Sequence, residues 1–255
     1  EAGQYGEAAL AAERGILRLM WDSETEFFYD LHTVTHEKAM VKNIVGFYPY
    51  WAGIAGGAAA AGAKKAFSPL FQTGCPFPSV AADCGIFSTA GGWKGLFFKG
   101  RDGCVWNGPS WPYTNAIVLD AMAGEIRRGQ TFPSGWWMEM FREYSFMHYE
   151  NRNFDRPALC EHYHALTGES LSGEADYLHS YWLDLLLRQG AGIRPDEDGL
   201  SLDAPLAEKT DFSISGLRVM GHEVSIEKDG NGMALSLDGG PMSSASPGTH
   251  VPLPW

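Results

Sequence analysis

The sequence predicts a mainly α fold in which helical hairpins form part of a toroid, followed by a small antiparallel β appendage. Three observations carry that expectation. Apolar residues recur at helical spacing in five or six stretches before residue 190, and long Gly- and Pro-rich segments separate them. After Gly190 the pattern changes to apolar and polar residues alternating around turn formers. No repeat of the kind that stacks into a solenoid is present. Helical hairpins with ornamented loops on one side then fit a toroid whose loops build a site at one mouth. The expected division is 1–195 for the helical part and 196–255 for the β-rich appendage.

Each element follows from its residues. Tyr5 to Met20 carries Ala8, Leu10, Ile16, Leu17 and Met20 at helical spacing among strong helix formers. Asp22 and Ser23 stop that helix, and Phe27 to Tyr29 read as a short extended return with which Ala39 to Ile44 would pair. In GFYPYWAGIAGGAAAAGAKKAF, Pro49 fits a first helical turn and the Ala-rich body suits close packing against neighbours. Residues 72–110 form a long loop region, and structureless stretches of that length are usually functional or disordered. Helices are expected at Trp111–Arg128, Ser134–Tyr149 and Ala175–Gln189, and antiparallel hairpins between Asp211 and Gly240.

Composition excludes several functions. At 255 residues and 45% hydrophobic, the chain can bury a sizeable core. A net charge of −12 with scattered basic residues argues against a nucleic-acid partner. No apolar run approaches the roughly 20 residues needed to cross a bilayer, so a soluble chain without a membrane partner is expected. Cys75, Cys84, Cys104 and Cys160 lack paired zinc spacing and form no disulfide framework, leaving the compartment open. The chain starts without Met and stops at HVPLPW after a strand-like stretch, so a fragment of a longer protein is expected.

Chemistry concentrates in three loops. In VWNGPSWPYTN, Trp106 and Trp111 flank a Gly-Pro turn and can present flat faces to the C–H face of a sugar, with Asn107, Tyr113 and Asn115 as hydroxyl partners; alternatively both indoles are core material at a helix start. In ALCEHYHALTGE, Glu161 stands between Cys160 and His162. A carboxylate in so aromatic a run is seldom buried without a partner. It is a general base, a solvated loop carboxylate, or a structural ion pair with Arg152 or Arg156. His162 and His164 flank Tyr163 at a spacing that could hold a metal, but no third ligand lies nearby and no metal is expected. In FPSVAADCG, Asp83 is either a substrate contact at the cavity mouth or a helix cap. There is no GxSxG elbow, and GGWKG and AGGAAAAG follow no strand as a dinucleotide fingerprint must, so no cofactor is expected.

Several stretches in order, WDSETEFFYD, GFYPYWAGIA, FPSVAADCG, VWNGPSWPYTNAIVL, CEHYHALTGE and YLHSYWLDLLL, resemble the C-terminal half of the inverting (α/α)6-barrel glycoside hydrolases of family 63, the group of processing α-glucosidases and mannosylglycerate hydrolases, with trehalases as distant relatives. The likeness spans roughly residues 5–195. It implies a glycosidase acting on α-glycosidic bonds of an oligosaccharide or small glycoside. The family's general base falls on Glu161, and its two sugar-site tryptophans on Trp106 and Trp111. Tyr48 and Trp51 are implied near the same mouth. The sequence departs where the family's WRGP arginine becomes Asn107, where the residue after the base becomes His162, and where the aromatic before it becomes Cys160. The aspartate segment that carries the family's general acid does not occur here. Two other readings stay open: a carbohydrate-binding barrel without catalysis, and a lyase or epimerase using Tyr163 with its flanking histidines.

Overall fold

In the computed structural model, which describes residues 2–92, 106–173, 177 and 181–253, Ala- and Glu-rich sequence begins the chain as α1 (Ala2–Leu19). The helix ends where Trp21–Asp22 (β1) turns back to pair antiparallel with Phe27–Phe28 (β2). Asp22 builds that turn. Its Oδ1 accepts from Thr25 N and Oγ1, each at 2.9 Å, and its Oδ2 from Lys38 Nζ at 3.0 Å. The expected pairing of 39–44 with Phe27–Tyr29 is only partly realised. Ala39 N donates to Asp30 O and Leu31 bridges Lys38, but Asn43 turns away to bridge Val80, because Asn43 instead caps the helical turn Ile44–Phe47.

The GFYPYW stretch forms that turn and then α2 (Tyr48–Trp51), with Pro49 in its first turn. Gly53, at φ +73°, ends it, and α3 (Ala59–Ala66) follows. Small residues here are space, not filler. A Cβ on Gly46 would lie 2.4 Å from the Phe27 ring, and one on Gly62 2.2 Å from the Tyr50 ring. The rings so accommodated form an aromatic core: Phe27 stacks on Phe71 with centroids 5.8 Å apart, Phe47 meets Phe71 edge-on at 5.0 Å, and Phe28 meets Tyr50 at 5.7 Å.

The helix α4 (Pro112–Arg127) is buried on most of its surface, with Thr114 to Leu119 and Ala121 to Ala123 all inside. Buried Glu125 pairs with Arg128, which also donates to Tyr50 O at 3.2 Å and ties α4 to α2. On α5 (Trp136–Phe146), Trp137 donates its indole N–H to Leu119 O at 2.9 Å, satisfying the polar end of a buried aromatic. The expected helix at 175–189 is seen as α6 (Trp182–Asp184) running into a wider turn, Leu185–Gly190; its earlier part, Tyr177 apart, lies outside the described residues, as does Cys104.

The chain divides into two compact units, 1–181 and 182–255, so α6 and the first strand of the second unit fall with the β-rich part. That unit holds two antiparallel sheets. β3 (Ile193–Pro195), β4 (Gly199–Leu202) and β9 (His250–Pro252) form one in the order β3-β4-β9. β5 (Phe212–Val219), β6 (His222–Asp229), β7 (Gly232–Leu237) and β8 (Ser243–Ala245) form the other as a meander. Ile193, Leu200, Leu202, Val224, Ile226 and Leu253 make its core. The helical unit followed by antiparallel hairpins is the order the sequence pattern predicts. Among the described residues no helix is long and apolar enough to cross a membrane.

The Asp22 turn gives a pH signature. Hydrogen bonds from Thr25 and Lys38 hold its carboxyl at about 2, below the ordinary 3.8. A depressed folded-state value stabilises the fold above the unfolded value and loses that contribution as pH falls through the folded one. Denaturant titrations of the native chain and Asp22→Asn should therefore differ most above pH 3.8 and converge as pH falls through about 2.

Candidate active site

Four loops that are distant in sequence are stitched together by backbone bridges: Asn43 to Val80, Pro78 to Ser110, Ser110 to Tyr163, and Tyr163 to Ser170. The central pair is Ser110 and Tyr163, which exchange both backbone hydrogen bonds at 2.9 Å. Proline sets this up. Pro109 and Pro112 bracket Ser110 and Trp111, and a residue before proline is pushed out of the helical region. Trp111 accordingly sits at φ −111°, ψ 124°, extended up to the first residue of α4.

Gly108 lets the Gly-Pro turn approach its neighbour. A Cβ there would lie 1.8 Å from Ser88 O, while its N–H donates to Ser79 Oγ at 2.9 Å. Beneath the turn, Ser110 Oγ donates to Pro76 O and accepts from Asn115 Nδ2 at 3.0 Å. Asn115 also donates to Phe77 O and Trp111 O, so it is a buried clamp on the backbone rather than a hydroxyl partner at a surface. Asn107 requires the same correction. It is 2% exposed, donates Nδ2 to Ile86 O and Gly92 O at 3.0 and 2.9 Å, and accepts from Gly92 N at 3.2 Å. Its amide closes a loop that an arginine could not close in this way, since guanidinium only donates.

The bridge aligns three flat rings. Trp106 stacks on Trp111 with centroids 4.3 Å apart and planes at 9°, and Trp111 stacks on His162 at 4.6 Å and 18°. Trp106 is 38% exposed and Trp111 only 2%, so the outer indole presents a face and the inner one supports it. Trp111 is therefore core material, and Trp106 is the more exposed indole of the pair. At the inner end, His162 Nδ1 lies 3.9 Å from Glu161 Oε2, and the Glu161 side chain is 29% exposed. The arginines that offered an ion-pair explanation for Glu161 are engaged elsewhere: Arg152 with Glu143 and Arg156 with Glu150.

Tyr163 is fully buried, contrary to a place facing sugar. Its hydroxyl donates to Ala158 O at 2.7 Å and accepts from Cys160 N at 3.0 Å, and burial holds it protonated well above the ordinary range. It laces the backbone leading into Glu161. His164 turns to a different environment from His162, its Nδ1 accepting from Leu166 N and Thr167 N, each at 3.2 Å. Among the described residues no group of three or more His, Cys, Asp or Glu is arranged to hold a metal.

The remaining sequence candidates make contacts of their own. Trp51, half exposed, donates its indole N–H to Asp120 Oδ2 at 2.9 Å, and Tyr48 meets it edge-on at 6.4 Å. Burial, with Tyr113 nearby, pushes the Tyr48 hydroxyl up to about 12, so it remains a donor. Asp83 is not a helix cap: residues 84–92 form turns, and its carboxylate accepts from Lys42 Nζ at 2.6 Å. The sequence reading missed the stacking of His162 on Trp111; the departure from the family at that position was its one visible signal.

The family model for the mannosylglycerate hydrolase MGH1-like glycoside hydrolase domain matches residues 1–180. The chain belongs to this family. No curated protein matches it. Among solved structures it is similar to the GH63 mannosylglycerate hydrolase from Thermus thermophilus in complex with Tris, at 22% identity and TM-score 0.49 over 68% of this chain and 36% of that one. The same enzyme in complex with glucose gives 22%, 0.49, 68% and 38%, and in complex with Tris and D-glycerate 25%, 0.48, 66% and 35%. The chain thus spans little more than a third of the length of these structures.

Substitutions at the tryptophan loop test how this MGH1-like domain holds its site. Trp111→Ala should cost about 3 to 5 kcal/mol in a denaturant titration, as for other fully buried aromatics, whereas Trp106→Ala should cost roughly 1 kcal/mol. Gly108→Ala should destabilise by about 2 kcal/mol or more through overpacking against Ser88. Gly57, around which a Cβ meets nothing within 4 Å, serves as the control, and Gly57→Ala should be neutral or stabilising by up to about 1 kcal/mol.

Proposed function

We propose that this domain is the base-carrying part of an inverting glycoside hydrolase acting on α-glycosidic bonds of an oligosaccharide or small glycoside, its helical unit forming part of an (α/α)6 toroid. One observation carries the proposal: a stack of three rings, exposed at Trp106, ends beside the partly exposed Glu161 carboxylate. Membership in an MGH1-like glycoside hydrolase family supports a carbohydrate as the ligand of that face.

In the proposed mechanism Trp106 offers its face to one sugar unit of the substrate, and the unit whose bond is cut lies beside Glu161. Glu161 removes a proton from a water molecule as that water attacks the anomeric carbon from the face opposite the leaving group. A carboxylic acid across the ring protonates the departing oxygen, with the two carboxyl groups about 6.5 to 9.5 Å apart so that the water fits between. The products are a free sugar of inverted anomeric configuration and the released alcohol. Because the family's acid-bearing segment does not occur in these residues, the acid is assigned to chain outside them. Tyr48 and Trp51 are taken as further wall of the same mouth. Asp83, held by Lys42, is kept as a peripheral contact. The burial of Tyr163 and the engagement of its hydroxyl weigh against a lyase using it as proton carrier.

In the protein carrying this domain together with its acid, Glu161→Gln should lower kcat on the order of 100 to 10,000-fold, the usual worth of general-base assistance, with KM changed little. Trp106→Ala should instead raise KM and leave kcat within a few-fold. Proton NMR of the first product should show the inverted anomer. Equal loss of affinity in both variants, or a retained anomer, would contradict these roles.

A further inference from the structure

Resting on the assignment of Glu161 as the base, we propose that His162 is its positioning residue, donating Nδ1–H to Glu161 Oε2 when substrate is bound. The two atoms stand 3.9 Å apart, just beyond a hydrogen bond. Catalytic hydrogen bonds are often long in the absence of substrate and tighten in the complex. Closing the gap needs only a small movement by the carboxylate, whose side chain is 29% exposed, against an imidazole that is 2% exposed. The more accessible partner is the base.

The imidazole is held on its face and through its backbone. The ring lies on Trp111 at 4.6 Å and 18°. The His162 carbonyl accepts from Leu171 N and from the Cys160 thiol, each at 3.1 Å. The next residue is fixed by the Ser110 bridge. A hydrogen-bond donor so constrained costs little further ordering when the carboxylate meets it, which is what a positioning group supplies.

Two roles of this side chain, ring and donor, can be separated by substitution. His162→Phe keeps a flat ring on Trp111 and removes the donor. His162→Asn removes the ring but returns an amide N–H near the position of Nδ1. With a donor role, His162→Phe should lower kcat roughly 10- to 100-fold with KM changed by less than about threefold, a modest share of the effect expected of the base itself. His162→Asn should recover most of that loss while melting at a lower temperature, because the stack is gone. Crystal structures of the domain with a methyl glycoside bound should show Glu161 retained near its native position in His162→Asn and displaced or in several rotamers in His162→Phe.

Undiminished kcat in His162→Phe would overturn the proposal. So would a His162→Asn variant as slow as His162→Phe with Glu161 in the same place in both, since the imidazole would then act only as packing. The crystallographic comparison needs no turnover. If Glu161→Gln leaves the rate unchanged, the base assignment fails, whereas Glu161 following the donor in the two structures still reports a positioning contact.

Discussion

Two backbone hydrogen bonds between Ser110 and Tyr163, each 2.9 Å, set the geometry on which the candidate site depends. Ser110 precedes Trp111 and Tyr163 follows His162, so pairing the first two residues lays the indole on the imidazole. Glu161, the residue before His162, then comes to the end of the stack. The bridge survives in the interior because its surroundings leave little alternative. Pro112 keeps Trp111 extended, Asn115 and Ser110 satisfy nearby carbonyls, and the Tyr163 hydroxyl bonds to the backbone at Ala158 and Cys160. A buried loop normally carries backbone groups that nothing satisfies. Here side-chain amides and hydroxyls satisfy them, which explains why Asn107, Ser110 and Asn115 are buried polar residues.

Much of the fold was legible in the sequence where periodicity is long. α1, α4 and α5 and the β5–β7 meander appear where apolar spacing predicts them. The errors fall where structure is decided by tertiary contact. Asn43 leaves the expected pairing because capping a helical turn and bridging Val80 satisfy it better than the Phe27 strand can. The polar side chains of the site loops were readable as polar but not as inward- or outward-facing. Asn107 and Tyr163 look like surface hydrogen-bonding groups in a one-dimensional string, and only the loops folded around them show that their bonds go to backbone carbonyls and amides.

Trp106 and Trp111 show the converse. Their spacing across a Gly-Pro turn marks them as a pair, yet spacing cannot say which indole is covered. The answer comes from the stack itself, in which Trp111 lies between Trp106 and His162 and is buried, while Trp106 is the outer ring. An exposed aromatic backed by a buried one is a rigid platform, since the outer ring has a flat partner that cannot move away. Beside it, the Glu161 carboxylate keeps partial access to solvent while the two arginines that could neutralise it are occupied by Glu143 and Glu150.

In the proposed site the Trp106 face and the Glu161–His162 end of the stack belong to one sugar-binding surface. The most direct measurement is a titration of the isotope-labelled domain with methyl α-mannoside and methyl α-glucoside, following the indole N–H signals and the His162 ring by NMR. On this account the Trp106 and His162 signals move together and saturate, while those of Trp136 and Trp137, buried on α5, stay fixed. Saturable shifts confined to Trp51, with Trp106 and His162 unmoved, would contradict it.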